Sequence, residues 1–353
     1  MVIFYPNGFN KYIINTNETR VHKLNKIFQK RCFYEIIMVS YYHYYEKEVT
    51  NLSNVDIYMY GMVLVSTMNL LKGDFPELDT YGEIKKSFIL PGGETGAGSM
   101  VLSALGCSVR LAGNYQGPKT MPVLKEFLGE RYGVDLSRLY FDDTFEGVLD
   151  MILIDSHTRT CFGTFQAYFS DEIKRWSQPL KSDIEECSVV GLDPFFMEQS
   201  DQVAILCNEL GKRYVTIDCK PESIIHKYSE VNIISNEFIQ NNYKGEDVKA
   251  LHKRYTDASN GLVIFTFGGR EILFGRRGEP IKSFKPYEVK VESTLGAGDS
   301  FKAGAIYAVF MGMSDEDIVS FAAATAGIVC SNFPLALNPP TLDRINNLIN
   351  SRK

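Results

Sequence analysis

The sequence has no surplus of positive charge, no metal-binding spacing of cysteine or histidine, and no long apolar run. Each absence removes a class of function. Lysine and arginine number 37 against 43 aspartates and glutamates, a net charge of −6. Nothing is left over to neutralise a nucleic-acid backbone or an anionic membrane, so neither is an expected partner, although one local basic pocket for an anion is compatible with this balance. The seven cysteines form no CxxC pair, and several sit in apolar runs such as Cys187-Ser188-Val189-Val190. Reduced, buried thiols are expected. The five histidines show neither HxH nor HExxH spacing, which argues against a zinc site. No stretch reaches the roughly 18 apolar residues of a membrane-spanning helix. The first residues lack the basic start, apolar middle and small-residue cleavage site of a secretory signal, so a cytoplasmic chain is expected.

What is present is enough apolar material, 45% of 353 residues, to bury a full core, as one large domain with or without a small lid. Residues 1–54, with Tyr41-Tyr42-His43-Tyr44-Tyr45 and several asparagines, show little periodicity and read as an extension to a domain over 55–353. Met38 and Met59 are alternative starts expected to spare that domain; Met62 would cut into its first strand. From Asp56 the texture changes. Ile57–Val65 reads as one buried strand and Ser87–Leu90 as another. Ser99–Leu105 reads as a helix, Val109–Ala112 as a strand and Pro118–Glu130 as a helix. Val148–Ile154 and Thr160–Phe165, around the turn-like Asp155–Arg159, predict a hairpin. With the segments at 57–90 it would make a small sheet within 57–90 and 139–168. Strands at Ser188–Leu192, Tyr214–Ile217, Val231–Ile234 and Leu262–Phe267 alternate with helices at Asp201–Leu210 and Glu246–Tyr255. That alternation predicts a mostly parallel sheet covered on both faces. Ile272–Phe274 and Ile281–Val291 read as hairpin strands and Ser300–Met311 as a helix. Ser314 caps the next helix, and a last helix follows Pro339-Pro340.

The most informative segment is Thr294-Leu295-Gly296-Ala297-Gly298-Asp299-Ser300-Phe301. Small residues opening a helix expose backbone N–H groups with no intrahelical acceptor, and the helix dipole adds positive potential. That is a cradle for a phosphoryl group. A carboxylate beside it, Asp299, could take a proton from a hydroxyl as the phosphoryl arrives. Taken alone, a Gly-x-Gly-Asp corner also fits close packing of two elements with an ordinary first-turn aspartate. A P-loop is rejected: Gly93 and Gly98 have its spacing, but Ser99-Met100 stand where Lys and Ser/Thr are needed. Gly96-Ala97-Gly98 lacks the third glycine of a dinucleotide fingerprint. Asp218, ending a strand, reads equally as a site residue or a strand-end cap. Arg159 reads as a solvated turn residue that could reach an acidic group on a ligand.

The string STLGAGDSFKAG resembles the C-terminal signature of the PfkB family of carbohydrate kinases. Pro91-Gly92-Gly93 followed by Leu105-Gly106 resembles its N-terminal pattern, in the right order and about 200 residues upstream. The resemblance, over roughly 56–350, implies an α/β fold: a ribokinase-like three-layer sandwich with a central, mostly parallel sheet and a small β-sheet lid. It implies an ATP-dependent kinase acting, with Mg²⁺, on a hydroxyl of a small sugar-like acceptor. Asp299 would be the base, and the amides of Gly296, Ala297 and Gly298 the anion hole. Asn236, Thr266, Gly268 and Thr294 would attend the nucleotide, with Phe321–Ser331 flanking its base. Gly92 and Gly93, with the positions of Ser66 and Ala97, would meet the acceptor. An exposed lid sheet in this family can pair with a second copy, which implies a homodimer. Four positions depart from the pattern. Ser66 replaces an acceptor-binding Asp, Ala97 an Asn, Ser293 the first Asp of DTxGAGD, and Ile239 the Glu of NxxE, leaving Glu237 as the nearby carboxylate for a metal. These departures keep open a ligand-binding or regulatory protein with impaired catalysis on the same fold, and a nucleoside or vitamin kinase.

Overall fold

The computed structural model describes residues 55–155 and 158–352. The extension at 1–54, with its tyrosine cluster, Met38 and Cys32, lies outside the described residues. The first strand, β1 (Val55–Gly61), shows why the centre of the molecule is a sheet covered on both sides. Its side chains alternate, Ile57 and Met59 into one apolar core, Tyr58 and Tyr60 into another, all buried. A strand so apolar on both faces is stable only between two helical layers.

The remaining strands are β2 (Leu64–Leu71), β3 (Ile84–Gly92), β4 (Val109–Gly113), β5 (Asp135–Arg138), β6 (Leu149–Ile154), β7 (Arg159–Gly163), β8 (Cys187–Leu192), β9 (Arg213–Ile217), β10 (Val231–Ser235), β11 (Leu262–Thr266), β12 (Ile272–Gly275) and β13 (Lys282–Phe284). Nine form the main sheet, in the order β13-β12-β11-β10-β9-β8-β1-β4-β5. It is parallel from β11 to β5, and the β12 and β13 hairpin strands join antiparallel at one edge. On one face lie α1 (Glu94–Ala104) and α2 (Ala297–Phe310), whose Val101, Ala303 and Ile306 share a core with Ile57 and Met59. On the other lies the helix Glu198–Glu209, whose Val203 packs with Tyr58 and Tyr60. Next to α2, α3 (Asp315–Cys330) starts on Ser314, whose hydroxyl accepts from Asp317 N as its position before the acidic turn predicts.

The second sheet, β3-β2-β6-β7, is the small sheet expected within 57–90 and 139–168. Its register puts Leu90, Ser66, Asp150 and Gly163 in one row and Ile89, Thr67, Met151 and Phe162 in the next, on opposite faces.

Three expectations need correction. Ile57–Val65 is two strands. The chain leaves the main sheet at Gly61 and enters the second at Leu64, because Met62 N donates to Asp193 Oδ2 (2.9 Å) and Val63 N to Asn114 Oδ1 (2.7 Å). Side chains from distant segments thus end the first ladder inside a run whose apolarity never lapses. Met59 lies inside β1, so a start there would remove half of the central strand. Only Lys282–Phe284 of Ile281–Val291 is strand. Pro286, with no N–H to give a ladder, stands two residues after its end.

Candidate active site

Gly296 precedes α2 in a left-handed conformation (φ 76°), which a residue with a Cβ adopts only with strain. The chain thereby turns sharply into the helix. Ser300 N closes onto Gly296 O (2.9 Å), so the amides of Gly298 and Asp299 precede the first helical hydrogen bond. A Cβ at Gly298 would meet nothing within 4 Å. The corner is open, and packing alone does not call for a glycine there.

Gly296, Ala297, Gly298 and Asp299 line a cavity of about 540 Å³. Burial, then Asp193, pushes the Asp299 carboxyl from 3.8 to about 6, against the pull of Lys302 and Arg159. Asp299 and the residues of the glycine corner therefore border the same space. Ser66, Gly92, Gly93, Ala97, Thr294 and Glu237 line it as well. A Cβ on Gly92 would stand 2.5 Å from Ser66 Oγ, so any side chain there would have to displace Ser66. Gly93 (φ 80°) passes close to Met62 O.

Asn236, Thr266 and Gly268 do not line this cavity. They sit at the carboxyl ends of β10 and β11, where Asn236 Oδ1 accepts from Arg270 (3.3 Å) and the space beside Gly268 is open. Of the stretch Phe321–Ser331, Phe321 is buried and stacked on Tyr307, ring centres 5.0 Å apart. Ile239 is buried among Ile234, Leu251 and Tyr255, so it offers a metal nothing. Asp218 combines its two readings. Its carboxylate accepts from Ser235 N (2.7 Å) and Ser235 Oγ (2.9 Å), holding the start of the helix Asn236–Asn242, and it also faces the cavity. Burial raises its pKa.

Arg159 is exposed, as expected beside a turn. It begins β7 and donates through Nη1 to Thr294 Oγ1 (2.8 Å), tying the second sheet to the corner before α2. Phe88 of β3 meets Phe333, which lines the cavity, edge to face (82°), a second tie of the small sheet to the cavity wall. The small sheet is therefore in place as a cover.

Sequence reasoning missed Asp193 and Lys302. Lys302 lies one turn after Asp299, is fully buried, and donates to Asp193 Oδ1 and to Leu192 O (3.0 Å). Asp193 Oδ2 accepts from Met62 N and Thr95 Oγ1 (2.7 Å). This ion pair fastens the end of β8, the crossover after β1, α1 and α2 together. Burial lowers the Lys302 pKa, but Asp193 and Glu94 outweigh it and the net shift is upward. A Cβ on Gly61 would stand 2.0 Å from Asp193 Oδ2, so the end of β1 must be glycine. The available signal was a lone lysine in the apolar run Phe301–Phe310.

A nine-stranded, mostly parallel sheet between helices, capped by a four-stranded sheet over a glycine-opened helix, is the ribokinase-like α/β fold. A putative ribokinase from Agrobacterium tumefaciens superposes with a TM-score of 0.73 at 18% identity, covering 84% of this chain and 98% of that one. Arabidopsis thaliana ribokinase, solved with ribose and ATP, gives 0.69 at 16% identity over 84% of this chain and 98% of that one. The profile described as "pfkB family carbohydrate kinase" matches residues 77–342, and the chain belongs to the PfkB family. A 5-dehydro-2-deoxygluconokinase from Listeria monocytogenes is 37% identical over 178 residues, 50% of each chain. The chain spans about half the length of the curated relatives it matches.

Proposed function

We propose that this chain transfers the γ-phosphoryl group of ATP to a hydroxyl of a small polyhydroxy acceptor, a sugar or sugar derivative. The observation that carries the reading is that the Asp299 carboxylate and the Gly296–Gly298 corner border one covered cavity. The amides of Gly298 and Asp299, with the helix dipole, stabilise charge gathering on the phosphoryl oxygens. Asp299 accepts the proton of the acceptor hydroxyl as the bond to phosphorus forms. Arg159, bonded to Thr294 beside the corner, keeps the small sheet closed and water out.

ATP would lie along the carboxyl edge of β10 and β11, beside Asn236, Thr266 and Gly268, a reading supported by the open space next to Gly268. Mg²⁺ rides on nucleotide phosphates with one or two protein carboxylates, and Glu237 in the cavity wall is suited to that part, there being no cluster of three or more ligands among the described residues. Its chemistry would be to offset phosphate charge. The names of the relatives and the ribose in the Arabidopsis structure support a sugar-like acceptor.

The test is Asp299→Asn in a coupled ADP-release assay over a panel of sugars, sugar acids, polyols and nucleosides, with ATP binding measured by calorimetry. Turnover is expected to fall ~10²–10⁴-fold while ATP still binds. Near-normal turnover by the variant would refute the role of Asp299. Stabilisation by a panel member without any ADP release would favour the ligand-binding reading instead.

A further inference from the structure

Beneath the Asp299 carboxyl lies a charged pair that does not border the cavity. Lys302 follows Asp299 on α2 at the spacing of one helical turn, so a rigid element sets their separation. Lys302 is 1% exposed, and its partner Asp193, at the end of β8, 0%. Neither lines the cavity, whereas Asp299 does. The Asp193 carboxylate is engaged at both oxygens: Lys302 Nζ donates to Oδ1, and Met62 N (2.9 Å) and Thr95 Oγ1 (2.7 Å) donate to Oδ2. The pair is therefore fixed in place from four segments of chain.

The cluster around it holds more acids than bases. Glu94 on α1, Asp193 after β8 and Asp299 on α2 surround Lys302, the one ammonium group that acts on all of them among the described residues. Asp218, after β9, feels the same lysine, and Arg159 acts on Asp299 from the covering sheet. So many carboxyls around one ammonium are not all ionised together without a large cost. Glu94 Oε2 is buried with no hydrogen-bond partner, and burial, then Asp193, pushes the Glu94 carboxyl up. Glu94 is thus the group that keeps its proton. Asp193 and Asp299 are left to share the field of Lys302. On Asp299 the pair acts in opposite senses, Asp193 holding the proton on and Lys302 driving it off.

We propose that Lys302 is a positioning residue for phosphoryl transfer: clamped on Asp193 in the water-free layer under the glycine corner, its ammonium keeps Asp299 available as a carboxylate without itself touching substrate. The inference rests on the kinase reading for the use made of Asp299. Fastening alone does not account for the pair. A fully buried ion pair is often replaceable by apolar residues of similar volume with no loss of stability, so the same segments could be held together without charge. What an apolar replacement could not supply is a cation one turn behind the base.

The experiment follows the Asp299 carboxyl itself, in the full chain without nucleotide or metal, by carboxyl-carbon NMR titration of isotope-labelled aspartates. The Asp299 resonance is identified by its loss in Asp299→Asn. Lys302→Met is expected to raise its midpoint by about one pH unit or more, and Asp193→Asn to lower it by a similar amount, with the double variant in between. The opposite directions separate this role from a structural one, because a loosened fold admits water and drives the midpoint down toward the ordinary 3.8 in every variant. Should Lys302→Met alone not fold, the same upward step is read between Asp193→Asn and the double variant, in which no charge of the pair is stranded. A midpoint that falls, or moves by less than about 0.3 units, when Lys302 is replaced overturns the inference. The kinase reading fails separately, if the midpoint moves as expected but ATP is not consumed with any sugar, sugar acid, polyol or nucleoside of the panel.

Discussion

In the proposed reaction Asp299 acts as a base only when it is ionised, and its surroundings delay that. With the folded carboxyl at about 6, the deprotonated fraction and hence kcat/KM should rise as pH climbs through about 6 and level off above it. The same shift has a stability sign. The folded pKa lies above the ordinary 3.8, so the folded state holds its proton more tightly than the unfolded chain. This one group therefore favours folding below about 4, and that contribution is lost as pH rises through 6. A pH–rate profile with a break near 4, where an unperturbed carboxylate titrates, would remove the argument. Beneath it, Lys302 and Asp193 are both buried. Lys302→Met leaves Asp193 charged and unpaired, so chemical denaturation should show a loss of roughly 3–5 kcal/mol. Asp193→Asn added to it removes the stranded charge while keeping an oxygen for Met62 N and Thr95. The double variant should lose less than the sum of the singles. Simple additivity would mean the pair is not coupled.

Among the elements, the central strands of the main sheet were legible because apolar runs bounded by polar turns leave few alternatives, whereas the short, polar edge strand β5 was not. The glycine corner stood out through the longer string STLGAGDSFKAG, since a Gly-x-Gly-Asp corner taken alone fits close packing as well. The crossover at Met62-Val63 was not legible. Nothing in Ile57–Val65 marks a break, since both strands bury apolar residues on both sides of it. The break is imposed by Asp193 and Asn114, which arrive from 131 and 51 residues away in sequence. The Arg159–Thr294 bond was not legible for a related reason: Arg159 is exposed, as expected of a charged residue beside a turn, and only the folded register of β6 and β7 carries it to Thr294. Because that bond is exposed it adds little to stability, about 0–1 kcal/mol. Its effect belongs to closure. Arg159→Ala should leave the unfolding temperature nearly unchanged and lower kcat/KM about 10-fold. Loss of stability with intact kinetics would make Arg159 a strut instead.

For the whole molecule, the two faces of the covering sheet make different demands. One carries Ser66, Asp150 and Ile152 toward the cavity. The other presents Ile89, Met151 and Phe162 in one cross-strand row, 58%, 41% and 46% exposed. An apolar row across a sheet is what a second copy could cover. Four strands of about six residues at roughly 4.8 Å spacing span on the order of 400 Å², below the ~800 Å² per partner of a stable complex. A dimer made by this face alone should therefore be weak and depend on concentration. Sedimentation velocity across a dilution series should show the shift from dimer to monomer, and Phe162→Lys should abolish the dimer at all concentrations. If the sheet also needs a partner to hold its closed shape, Phe162→Lys will raise the acceptor KM without moving the pH break of Asp299, because the chemistry lies on the other face. A strictly monomeric parent chain at high concentration would leave the apolar row without this explanation.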